Sequence, residues 1–117
     1  MDDRILNLTG LVSISFANNK IEKLPGSLFR LENLVQLDLS NNLLRELPQE
    51  ISICEKLIEL NLFRNNLKAL PSNIAKMYKL ENLNIAQNKL ETLPEDVSLK
   101  ATKITPFEKT RSRRKFD

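Results

Sequence analysis

The sequence predicts an α/β solenoid: a short parallel β-sheet on a concave face, short helices or 3₁₀ turns on a convex face, and a core of stacked apolar layers between them. Three observations predict it. An L-x-x-L-x-L pattern opens at Leu11, Leu34, Leu57 and Leu80, each 23 residues after the last. An asparagine holds the same place in every copy: Asn19, Asn42, Asn65 and Asn88. A Leu-Pro pair then follows in each, as Leu24-Pro25, Leu47-Pro48, Leu70-Pro71 and Leu93-Pro94. A fixed period of this length marks supersecondary units that bury their apolar faces against one another.

The combined pattern, L-x-x-L-x-L-x-x-N-x-L, resembles the leucine-rich repeat signature. Its continuation, L-P-x-x-I/L/V, is similar to that of the intracellular, Ras-associated group of leucine-rich repeat proteins. The resemblance covers about residues 1–97. It implies a non-enzymatic protein-binding scaffold of intracellular signalling, with a small GTPase or its signalling complex as a candidate partner. It also implies that the four asparagines form a ladder, their amides bonding backbone groups of neighbouring turns.

Each element has a physical reason. Residues 1–10 match the back half of a repeat, since Ile5 and Leu8 stand 23 residues before Leu28 and Leu31. The pairs Ile14/Phe16, Leu37/Leu39, Leu60/Leu62 and Leu83/Ile85 place two apolar side chains on one face of a short strand, because strand side chains alternate. The return from each strand to the next takes roughly 18 residues, which suits a parallel crossover. An inward-turning loop leaves backbone groups unpaired, and a buried amide both donates and accepts, so the asparagines suit that place. Asn42 and Asn65 have a repeat on either side, and the outer rungs Asn19 and Asn88 are expected to matter less. Ile21, Leu44, Leu67 and Leu90 fill the core behind them. Proline has no N–H and fixes φ, so each Leu-Pro ends the extended segment and opens a helical turn. Leu28/Leu31, Ile51/Cys54 and Ile74/Met77 follow at i, i+3 as an inward stripe.

The pattern fails after Val97. The next core slots, at 100, 103, 106, 108 and 111, hold Lys100, Lys103, Pro106, Glu108 and Arg111. The expectation is one domain over 1–108: a partial repeat at 1–10, full repeats opening at 11, 34, 57 and 80, and a C-terminal cap at about 95–108. Leu99, Ile104 and Phe107 are available to cover the last layer. Residues 109–117, KTRSRRKFD, read as a disordered basic tail.

Composition narrows the function. Charged residues are 28% of the chain and hydrophobic residues 41%, with no apolar run near the ~18 residues a membrane span needs. The acidic start Met1-Asp2-Asp3 does not resemble a secretory signal, and one cysteine makes no internal disulfide. These point to the cytoplasm, or to the nucleus. The net charge of +3 divides into +5 from Lys100 onward and −2 before it. The chain has no histidine and two glycines, which removes histidine-based catalysis and any Gly-rich phosphate loop. No catalytic constellation, metal site or cofactor motif is found. Cys54 occupies a core slot equivalent to Leu31 and Met77, so it reads as a buried small hydrophobe.

What remains is the outward surface of the strands, which forms three columns. The first is Ser13, Gln36, Glu59 and Asn82; the second is Ser15, Asp38, Asn61 and Asn84. The third is Ala17, Ser40, Phe63 and Ala86, flanked by Asn18, Asn41, Arg64 and Gln87. Asp38, Glu59, Phe63 and Arg64 cluster in the two middle repeats, where an aromatic among polar groups has the anatomy of an interface centre. The expected partner-binding set is Gln36, Asp38, Glu59, Asn61, Phe63, Arg64, Asn84 and Gln87. A solvated polar face with one chance aromatic is the competing reading. The strand face is on the order of 250 Å², well below the ~800 Å² per partner of a standard interface, so a partner must also use flanking loops. Two alternatives stand beside this: a capping or assembly piece of a larger repeat array, and a tail that binds nucleic acid or a membrane surface. Nucleic acid is the weaker of these, because only Phe107 and Phe116 near the tail can stack on bases.

Overall fold

A computed structural model describes residues 10–91 and the strand at 103–105. Four three-residue strands follow the repeats: β1 (Ser13–Ser15), β2 (Gln36–Asp38), β3 (Glu59–Asn61) and β4 (Asn82–Asn84). All pair in parallel and in order, with Ile14, Leu37, Leu60 and Leu83 side by side across the sheet. The 23-residue period thus becomes an unshifted register. A fifth strand, β5 (Lys103–Thr105), extends the sheet beyond β4.

β5 differs from the sequence expectation, which ended the strands with the fourth repeat. It pairs 21 residues on from β4, so that Ile104 stands opposite Leu83. The return is two residues shorter than in the other turns. The rest of the expected cap, Leu99 and Phe107 included, and the tail at 109–117 lie outside the described residues.

Among the described residues the convex face is made of three 3₁₀ turns, Gly26–Arg30, Gln49–Ile53 and Ser72–Lys76. Each is preceded by an extended proline, with ψ of 140°, 150° and 143° at Pro25, Pro48 and Pro71. The carbonyl of each proline accepts the N–H three residues on, from Leu28, Ile51 and Ile74, at 3.0–3.2 Å. A three-residue turn eclipses i and i+3, so Leu28/Leu31, Ile51/Cys54 and Ile74/Met77 point inward together, and all six are buried. Phe29 is also fully buried, although its counterparts Ser52 and Ala75 are half-buried and the repeat pattern assigns that place no core role. Between the faces, Leu34, Leu39, Leu44, Leu57, Leu62 and Leu67 show no exposed surface. At ~25 cal/mol per Å² these layers supply the main driving force for stacking.

Candidate protein-interaction surface

The concave groove is lined by the first two columns together with the strand leucines and Ile14 between them. In the first column Gln36 donates its Nε2 to Glu59 Oε1 at 2.9 Å, tying two exposed side chains across adjacent strands. The second column has a structural job in every repeat. Ser15 Oγ accepts the N–H of Ala17, Asp38 Oδ1 that of Ser40, Asn61 Oδ1 that of Phe63, and Asn84 Oδ1 that of Ala86, at 2.9–3.2 Å. Only short side chains with an oxygen can bond a backbone group two residues ahead, which accounts for Ser, Asp and Asn there. These oxygens turn the chain out of the strand and hold the groove side chains still.

The third column is not an outward strand column. The strands end at Ser15, Asp38, Asn61 and Asn84, so alternation does not carry on to the next residues. Ser40 and Ala86 are 7% and 6% exposed, and Ala17 and Phe63 are half-buried. Burial explains why this column is small elsewhere, and it makes Phe63 a partly packed side chain at the end of the groove. Phe63 and Arg64 do not line the groove itself.

Beside them lies a column that the sequence reading passed over as flanking. Asn18, Asn41, Arg64 and Gln87 all have positive φ, at 61°, 55°, 60° and 59°. Asparagine tolerates this left-handed region, whereas Arg64 and Gln87 bear a strain of roughly 1 kcal/mol there. The conformation lets the N–H of Asn18, Asn41 and Arg64 reach forward to the carbonyls of Ser40, Phe63 and Ala86 at 2.8–3.0 Å. The two asparagines in the column were the available signal.

The ladder asparagines reach the other way. Asn65 Nδ2 donates to Leu62 O in its own turn and to Leu39 O in the preceding one, while its Oδ1 accepts the Leu44 N–H at 3.0 Å. Asn42 does the same with Leu39 O, Phe16 O and the Ile21 N–H. Asn88 repeats the set with Ile85 O, Leu62 O and the Leu67 N–H. Among the described residues, Asn19 bonds Phe16 O and Ala17 O, both in its own turn. Asn88 thus makes the full bond set of an inner rung, because each rung reaches only to the turn before it, although its site is half-buried where those of Asn42 and Asn65 are buried.

Charge on the groove is negative. Asp38 and Glu59 sit at its centre, and among the described lining residues no side chain is cationic. Cys54 is buried, its Sγ donates to Phe29 O at 3.3 Å, and burial pushes its thiol up to about 11. A thiol held protonated is a core group and a poor nucleophile. Among the described residues no cluster of three or more metal-ligating side chains occurs, and no helix is long and apolar enough to cross a membrane.

A parallel sheet with one strand per repeat, 3₁₀ returns and an asparagine rung per turn defines a leucine-rich repeat solenoid. The leucine rich repeat family model matches residues 9–67, half of the chain, and the chain belongs to that family. Its fold is similar to that of a leucine-rich repeat protein of Leptospira interrogans, LIC12759, at 28% identity and a TM-score of 0.78, over 100% of this chain and 39% of that one. InlP of Listeria monocytogenes shares the fold at 20% identity and a TM-score of 0.57, over 83% of this chain and 40% of its own. The chain thus spans about two fifths of the length of these two proteins. No curated protein matches it. Leucine-rich repeat domains commonly serve as protein-interaction modules, which suggests that role for this chain.

Proposed function

We propose that the chain binds a protein partner across the concave groove and serves as an intracellular signalling scaffold in the cytoplasm or nucleus. The observation that carries the binding reading is the make-up of the groove. The eight outward side chains that β1 to β4 give to the groove are all polar, among the described lining residues no cation neutralises the central carboxylates Asp38 and Glu59, and Ser15, Asp38, Asn61 and Asn84 are held by backbone bonds. Such a surface fits a partner segment that presents cations and amide donors. Phe63, half-buried at the end of the groove, and exposed Arg64 and Gln87 beyond it extend the contact past the strands. The resemblance to Ras-group repeats makes small GTPases and their complexes the first partners to test.

The Glu59 side chain is exposed and, among the described residues, bonds Gln36, so Glu59→Lys reverses charge at the groove centre without touching the core. The test is affinity capture with the parent chain and with Glu59→Lys, followed by direct binding of the captured protein and of a small-GTPase panel. The expected result is a partner retained by the parent and lost on Glu59→Lys, with unchanged melting. A partner that binds both chains equally well removes the concave groove from consideration.

A further inference from the structure

The side chain that closes each strand has one duty toward the fold and a remainder that the fold does not use. Ser15, Asp38, Asn61 and Asn84 each give one oxygen to the N–H two residues ahead, at 2.9–3.2 Å. Three side-chain chemistries make the same bond, so the turn does not choose among them. What the bond leaves over differs. Asp38 keeps Oδ2, an acceptor with negative charge. Asn61 and Asn84 have Oδ1 engaged by the N–H of Phe63 and Ala86, and they keep Nδ2, a donor on the other side of the amide. Among the described residues neither Nδ2 has an acceptor within hydrogen-bonding distance. Both residues line the groove, so these donors are offered to whatever fills it. The groove is therefore sorted: Asp38 on β2 and Glu59 on β3 accept, while Asn61 on β3 and Asn84 on β4 donate.

We propose that the groove selects a protein segment carrying one basic and one acidic side chain, the base set over Asp38 and Glu59 and the carboxylate over the amides of Asn61 and Asn84. This rests on the groove reading above and gives it a sign pattern. A purely cationic segment covers the two amide donors without an acceptor for them, and a buried donor left unpaired weakens binding. Asn61 stands opposite Asn84 in the parallel register, so the two Nδ2 groups come from neighbouring strands and can share one carboxylate. The spacing of the two sites follows from the sheet. The acceptor pair straddles β2 and β3, and the donor pair straddles β3 and β4. Their centres are one strand apart across the sheet, ~4.8 Å, and about one residue apart along it, so roughly 6 Å in all. Side chains one turn apart on a helix, or two residues apart on a strand, have that separation.

The test pans a random peptide library over the immobilised full chain and discards every peptide that also binds Glu59→Lys, so that groove binders remain. The expected consensus has a Lys or Arg and an Asp or Glu at one fixed spacing. A synthetic peptide of that consensus is then titrated by calorimetry into the parent, Asn61→Ser and Asn61→Asp. Both variants keep the turn bond, as Ser15 and Asp38 do in their own repeats. Asn61→Ser removes the donor and weakens binding by about three- to tenfold. Asn61→Asp sets a like charge under the peptide carboxylate and weakens it on the order of tenfold or more. Exchanging the acidic residue of the peptide for lysine restores binding to Asn61→Asp. Three results overturn the sorted groove and leave the groove reading standing: groove binders with no fixed acidic position, equal affinity of the consensus peptide for the parent and both variants, or no recovery with the lysine peptide. If no peptide is lost on Glu59→Lys, both readings fall.

Discussion

Replacing Asn65 with leucine tests how the turns are held together. The side chain is 5% exposed, and leucine keeps its size while removing every polar atom. The loss can be followed group by group. Leu39 O keeps a donor in Asn42 Nδ2, and Leu62 O keeps one in Asn88 Nδ2. The Phe63 carbonyl keeps the Asn41 N–H at 2.8 Å. The Leu44 N–H has no substitute, and it lies in the buried interior. One orphaned buried donor costs ~1–3 kcal/mol, and the weakened carbonyls add about 1 more. The expected loss is about 2–4 kcal/mol, or on the order of 10–20 °C in melting midpoint for a domain of this size. Asn88→Leu orphans the Leu67 N–H in the same way but at a half-buried site, where water recovers part of the loss. Asn19→Leu orphans no N–H and should cost below ~1 kcal/mol. Urea and thermal melts of the three variants measure the order Asn65, Asn88, Asn19. Equal losses at Asn19 and Asn65, or none at Asn65, would refute a backward-reaching ladder.

Other perturbations separate the remaining features. Phe63→Ala is expected to weaken partner binding by more than ~2 kcal/mol and, because the ring is half-buried, to cost stability about 1–2 kcal/mol, whereas Leu62→Ala costs ~2–5 kcal/mol from a fully buried site. Arg64→Asn should stabilise the fold by roughly 0.5–1 kcal/mol in denaturant melts by relieving a positive φ, and a loss instead would mean that the Arg64 side chain is holding the turn. The buried Cys54 thiol titrates near 11 against 9.0 in the unfolded chain, so it favours folding fully below pH 9 and that contribution is lost as pH rises through 11. The difference in stability between the parent and Cys54→Val should therefore shift against the parent by about 2–3 kcal/mol across that window, and a constant difference would contradict a buried, protonated thiol.

The fold was legible because its period is a consequence of stacking. A layer closes only if the same apolar slots recur, so Leu37, Leu60 and Leu83 announce the register they adopt. Features that depend on direction or on strand length were not legible. Nothing in the spacing of Asn19, Asn42, Asn65 and Asn88 says that rungs reach only to the turn before. Alternation was extended two residues too far because the sequence does not mark where β3 stops, and this misplaced Phe63 and the buried Ser40 and Ala86. The two-residue slip that sets Ile104 opposite Leu83 breaks the period and could not be read from it. The second column shows what could have been read: Ser15, Asp38, Asn61 and Asn84 are the residue types that cap a turn, and counting them as groove contacts overlooked that job.

The concave groove carries its own reporters, since Gln36, Asn61, Asn82 and Asn84 bear side-chain amides with separate NMR signals, and the most direct measurement is to follow those signals in the full chain as a captured partner is added. The account predicts that they shift together and saturate at one affinity, ahead of the backbone signals of the 3₁₀ turns Gly26–Arg30, Gln49–Ile53 and Ser72–Lys76. Shifts in those convex turns with the four groove amides unmoved would contradict it.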